Sequence, residues 1–94
     1  MEEKDYPKVK NENVKIIMKV KVLFFGVLSE IAGTTVKFYD DVKSSEHLNQ
    51  RVTDDFPEMV HYKYKISVNN ELIRTDIPLK NGDEVAFLPP FAGG

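Results

Sequence analysis

Two stretches of strict apolar alternation bracket this chain. From Val14 to Phe25 the sequence is β-branched and aromatic, with Met18, Val20, Val22 and Phe24 on one side and Lys19, Lys21, Leu23 and Phe25 on the other. The first set predicts a core face. The second begins polar and turns apolar, so Leu23 and Phe25 fall where a half-buried strand is wet. Two readings stand: a helix or loop covers them, or they form an exposed patch used for association. Near the C-terminus, Glu84 to Leu88 alternates again, Val85 and Phe87 against Glu84, Ala86 and Leu88.

Between these strands the pattern changes period. Leu28, Ile31 and Ala32 fall at helical spacing within Gly26 to Gly33, and Gly33 suits a helix end. Thr34 to Tyr39 reads as a second strand, antiparallel to the first and closed by Asp40-Asp41. Ser44 or Ser45 caps a helix with Glu46 in its first turn; Leu48, Val52 and Phe56 give it one stripe, and Pro57 stops it. Tyr64, Ile66 and Val68 alternate with Lys65 and Ser67 in a third strand, Asn69-Asn70 turns the chain, and Leu72-Ile73 returns briefly. Asp76 to Lys80 forms a loop that buries Leu79, and Asn81-Gly82-Asp83 turns into the final strand.

Hairpin, helix crossover and a last strand returning beside the first is the α+β, ubiquitin-like β-grasp arrangement. It predicts a mixed sheet of four to five strands with one main helix packed on one face, and the first and last strands, the most apolar, in the centre. Residues 1–13 alternate charges without apolar periodicity and are expected to be a flexible extension, residues 14–88 the domain, and residues 89–94 an extended tail.

Composition narrows the function classes. The 94 residues fit one domain, 41% apolar and 30% charged. No cysteine is present, which removes disulfides, thiolate metal sites and self-contained thioester chemistry. A net charge of −2 without a basic cluster speaks against nucleic acid, no apolar run approaches a membrane span, and the N-terminus lacks signal-peptide character, so a cytoplasmic protein is expected. His47 and His61 lack metal-site spacing and read as solvated side chains. Asp40-Asp41 and Asp54-Asp55 read as solvated element ends, and no nucleophile–base pair or metal set is visible.

The tail carries the chemistry. Pro89-Pro90 ends the ladder, having no N–H to donate, and favours a stiff extended exit. Phe91 is a large apolar residue with no core left to join, and Ala92-Gly93-Gly94 lacks bulk. The six residues from Pro89 can reach roughly 20 Å at about 3.3 Å each, enough to thread a narrow channel. A terminal α-carboxyl titrates near ~3.5 and is an ionised nucleophile at neutral pH. Frayed, glycine-rich ends are common, but Gly-Gly after a strand and a double proline is a far more specific combination.

Lys21-Val-Leu-Phe-Phe25, Ile31-Ala-Gly33, Val68-Asn69, Leu79-Lys-Asn-Gly-Asp-Glu-Val-Ala-Phe87 and Pro89-Pro-Phe-Ala-Gly-Gly94 together resemble the MoaD/ThiS family of ubiquitin-like sulfur carriers, its molybdopterin branch above all. The resemblance covers about Lys19 to Gly94. The chain departs from the family at Ser29, where an arginine is common, and in its longer N-terminal extension. The resemblance implies a non-catalytic carrier subunit of molybdopterin synthase with no permanently bound cofactor and no metal. An E1-like adenylating enzyme of the MoeB type uses ATP to activate the Gly94 carboxylate, and a sulfur donor protein converts the adenylate to a thiocarboxylate. The loaded tail, with Gly93, Ala92 and Phe91 threading, enters the large subunit of molybdopterin synthase and gives its sulfur to a cyclic pyranopterin precursor. Phe25 and Leu88, with Leu72 as a third member and Pro89 and Pro90 at the exit, are the expected partner-binding residues. The alternatives are a carrier for thiazole synthesis or tRNA thiolation, or a β-grasp interaction module whose tail has no chemistry.

Overall fold

A computed structural model describes residues 18–90. The elements are β1 (Lys19–Phe24), α1 (Val27–Ala32), β2 (Val36–Asp40), α2 (Ser45–Asp55), a 3-10 helix (Pro57–His61), β3 (Lys65–Val68), β4 (Glu71–Leu72) and β5 (Glu84–Leu88). They form one five-stranded sheet in the order β2-β1-β5-β3-β4. β1 and β5 run parallel in the middle, with Val22 opposite Val85 and Phe24 opposite Phe87; all other pairs are antiparallel. This is the expected β-grasp sheet, and the parallel central pair requires the long helical crossover between its strands.

Val20, Val22, Phe24, Val85, Phe87 and Val68 line the core face beneath Leu28, Leu48, Val52 and Met59. Phe24 holds the centre, edge-on to Phe56 at 5.9 Å and tilted against Phe87 at 5.7 Å, while Tyr64 packs on Phe87 at 5.3 Å. The Ser44 side chain caps α2, accepting the His47 N–H at 3.2 Å. Asp76 lies at the same end and accepts the Glu46 N–H at 2.8 Å and the Ser45 hydroxyl at 3.1 Å. That backbone bond, with help from Ser44 and Ser45, holds its carboxyl below the ordinary carboxylate range.

The turns follow their residues. Asn69 and Asn70 both have positive φ, 51° and 73°, which suits a two-residue hairpin turn between β3 and β4. Gly82 at φ 89° closes the turn before β5, where Asp83 is buried. Its carboxylate accepts from Asn69 Nδ2 (3.0 Å), the Lys80 N–H (2.9 Å) and Lys80 Nζ (3.3 Å). Burial alone would raise its pKa, but these donors together bring it below the ordinary value.

Several details differ from the sequence reading. The described part of the first strand starts at Lys19 and ends at Phe24; positions 14–17 and the 1–13 extension lie outside the described residues. The fourth strand is Glu71–Leu72, although the Ile73 N–H still bonds the Ile66 carbonyl at 3.0 Å. Beyond α2, Pro57 opens a short 3-10 helix that the sequence reading did not include. His47 is not simply solvated: its Nδ1 accepts the Lys43 N–H at 3.0 Å. Asp55 is likewise engaged, accepting the Tyr39 hydroxyl at 2.7 Å. Tyr39 is raised above its usual pKa, first by burial and then by that bond, and Arg51 on α2 donates to the Asp40 carbonyl at 2.7 Å. These contacts tie the edge strand β2 to the helix.

Candidate functional site: an open sheet face at the tail exit

The strand alternation that fills the core leaves a second set of side chains on the opposite face. Leu23 on β1 lies opposite Val36 on β2 and Ala86 on β5; Ser67 on β3 lies opposite Ala86 on one side and Leu72 on the other; Lys65 pairs with Leu88. Among the described residues no helix covers this face, and Phe25 is 46% exposed, Leu72 57% and Phe38 55%. Among the described residues, then, nothing covers Phe25, and Leu23 beside it is half-buried.

Phe25, Leu88 and Leu72 line one shallow concavity of about 260 Å³, with Leu23 and Ala86 completing its apolar walls and Ser67, Asn70 and Glu84 its polar parts. Lys21 stands 3.8 Å from Glu84 at the rim, an exposed pair of small energetic weight. The sequence reading thus placed three side chains that converge, though they come from three separate stretches.

The same end of the face is where the chain leaves. The Phe25 N–H donates to the Phe87 carbonyl at 3.3 Å, and the chain then turns at Gly26. Gly26 has φ 57° and ψ −134°, and a Cβ built there would stand 3.0 Å from Pro89 Cγ. The ring of Pro89 thus rests against a position where only hydrogen fits comfortably. The Ser29 hydroxyl fixes this turn by donating to the Gly26 carbonyl at 2.7 Å. Pro89 is half-buried and Pro90 exposed, while the predicted threading residues Phe91, Ala92 and Gly93 and the carried Gly94 lie outside the described residues.

Three residues on this face escaped the sequence reading. Val36 and Phe38 extend it across β2, and Ser67 forms its buried floor. Val36-Lys37-Phe38-Tyr39 has apolar residues at three of four positions, so alternation alone did not say which face was core.

A second, more open groove of about 500 Å³ runs between the start of α2, β3 and the loop after β4, and Leu72 borders both depressions. Among the described residues no group of three His, Cys, Asp or Glu side chains is placed to hold a metal ion, and no helix is long and apolar enough to cross a membrane. Chemically, the face offers burial of apolar area next to the root of the tail.

Fold and site together define a class: a β-grasp protein whose sheet face, uncovered among the described residues, adjoins the exit of its final strand. The ThiS family model matches residues 22–94, and the chain belongs to that family. It is 36% identical over 80 residues to the molybdopterin synthase sulfur carrier subunit of Escherichia coli, covering 80% of this chain and 99% of that relative. A chain in the protein–protein complex of subunits 1 and 2 of the molybdopterin-converting factor from Helicobacter pylori is similar at 30% identity and a TM-score of 0.63, covering 82% of this chain and all of that one. The small archaeal modifier protein 1 of Methanosarcina acetivorans is similar at 27% identity and a TM-score of 0.69, covering 85% of this chain and all of that one.

Proposed function

We propose that this chain is the sulfur carrier subunit of a molybdopterin synthase. The observation that carries the reading is the convergence of Phe25, Leu72 and Leu88 beside Pro89, an apolar docking patch at the root of the tail. A carrier must be held by its partner while its end reaches a distant reacting centre. A rigid sheet face and a stiff two-proline exit serve those two needs separately. The relatives named for this role support it.

In this reading the Gly94 carboxylate attacks the α-phosphorus of ATP on an E1-like adenylating enzyme and expels pyrophosphate. Sulfide-level sulfur delivered by a donor protein then attacks the acyl carbon and expels AMP, leaving a thiocarboxylate. The large subunit receives the loaded tail and passes the sulfur to a cyclic pyranopterin precursor. No step asks this chain for a general base; Gly94 is a carried group and the catalytic groups belong to the partners.

The test is the mass of the tryptic peptide Asn81 to Gly94, compared before and after incubation with ATP, the adenylating enzyme and a sulfur source. This peptide holds neither methionine nor cysteine, so oxidation cannot imitate exchange of one oxygen for sulfur. The expected result is that exchange, confined to Gly94. An unchanged mass, with an enzyme proven active on another carrier, would overturn the carrier reading. Deleting Gly94 is expected to abolish sulfur transfer while leaving large-subunit binding measurable; an interaction module would show no sulfur transfer at the outset and would tolerate the deletion.

A further inference from the structure

The floor of the concavity holds an unusual group. Ser67 is only 7% exposed, yet it lies on the open face of the sheet, between Leu72 and Ala86. Among the described residues its hydroxyl has no hydrogen-bond partner, although it faces into the depression. Water in the open depression can reach this hydroxyl, but a partner that covered it without a donor or acceptor would leave it buried and unpaired, which is costly, whereas an alanine would carry no such cost. Glu84 stands on the rim of the same depression, an acceptor-only carboxylate held loosely by Lys21. Apolar walls from Leu72, Leu88 and Phe25 complete it. At about 260 Å³ it falls below the roughly 300–1,000 Å³ of small-molecule pockets and has the scale of a single side chain.

We propose that this depression is a specificity pocket for one arginine side chain of the docked partner. The inference rests on the reading that the open face binds the large subunit. An arginine has the required division of properties. Its aliphatic stem can lie along Leu72 and Leu88, and its guanidinium presents five N–H donors and no acceptor, matching a hydroxyl oxygen at the floor and a carboxylate at the rim. A phenylalanine or leucine would leave the Ser67 hydroxyl buried and unpaired. A carboxylate would meet Glu84.

The test compares wild type with Ser67→Ala, Glu84→Gln and Phe25→Asp by calorimetric titration against the cognate large subunit, and follows thermal unfolding of each free chain. Ser67→Ala is expected to weaken binding about tenfold. Its unfolding midpoint should stay level or rise, because no described residue bonds the hydroxyl in the free chain. Glu84→Gln is expected to weaken binding about fivefold and to flatten the salt dependence of the affinity. If Ser67→Ala binds as wild type, or loses affinity only in step with a lower unfolding midpoint, the pocket inference is overturned. If Glu84→Gln leaves both affinity and salt dependence unchanged, the arginine assignment is overturned. These failures are distinct from failure of the docking reading, in which wild type does not bind the large subunit, or Phe25→Asp binds as well as wild type; either removes the pocket inference with it.

Discussion

On one face of the sheet Val20, Val22, Val85 and Phe87 are fully buried beneath α2; on the other, Phe25 just past β1, Phe38 on β2 and Leu72 on β4 are exposed. Both faces carry large apolar side chains, set out by strand alternation. They differ in what answers them. The core face meets Leu28, Leu48, Val52 and Met59 from this chain's own helices, whereas the described residues provide nothing to cover the open face. Apolar area that the fold leaves bare contributes little to stability and is retained for association. Stability and binding should therefore separate cleanly by face.

The largest expected effect falls on the core side. Phe87 is fully buried and packs against Phe24 and Tyr64, so Phe87→Ala should cost about 3–5 kcal/mol of folding stability in denaturant titration. Against total stabilities of roughly 5–15 kcal/mol for small domains, the variant would be marginal or unfolded. A loss below about 1 kcal/mol would mean that the two faces do not differ as described.

Next comes the matching substitution on the other face. Phe25→Asp should leave unfolding within about 0.5 kcal/mol of wild type, since nearly half of the residue is already in water. Affinity for the large subunit should fall by about 2–4 kcal/mol, the range of a central interface anchor. Loss of stability with binding intact would reverse the assignment of the faces.

Acid should act through the ends of the sheet and not through either face. Asp83 has a folded pKa below the ordinary ~3.9, so the stability it contributes is fully present above about pH 4 and is lost as pH falls through the folded value. Asp76 has the same sign at the start of α2. Asp83→Asn should cost about 1–3 kcal/mol at neutral pH and flatten the acid limb of stability against pH, measured by denaturant titration at stepped pH. An unaltered acid limb would show that the bonds from Asn69 and Lys80 do not favour the ionised form.

What was legible in the sequence follows the same division. Period-two alternation fixed β1 and β5, because a slip of one residue would have turned Val22 and Phe87 into water. Local chemistry narrowed the α2 cap to Ser44 or Ser45, of which Ser44 is the cap, and gave the Asn69-Asn70 turn and the Gly33 helix end. The non-local contacts were not legible. Tyr39 is the core residue of β2 and Phe38 the open one, and that choice is anchored on α2, where Asp55 receives the Tyr39 hydroxyl. Ser67 alternates with Ile66 and Val68 in the sequence, but its burial depends on β3 lying between Leu72 and Ala86, a register set by two other strands. The contact of Pro89 with Gly26 likewise joins positions remote in sequence.

The smallest expected effect tests how far the open face works as one surface. Phe38 sits on the outer strand, across β1 from the concavity, with Lys19 Nζ 5.9 Å from its ring centre. The β2 edge beside it is already blunted. The Thr34 hydroxyl donates to the Val36 carbonyl at 2.9 Å and accepts the Val36 N–H at 3.2 Å, and Arg51 occupies the Asp40 carbonyl. That leaves little main chain for another strand to pair with, so Phe38 should act through its side chain alone. Phe38→Ser is expected to change folding stability by less than about 0.5 kcal/mol and to weaken large-subunit binding by less than about 1 kcal/mol, as interface-rim residues do. A loss as large as that of Phe25→Asp in the same titration would move the centre of the interface to β2 and away from the tail exit, and the concavity would then be its margin.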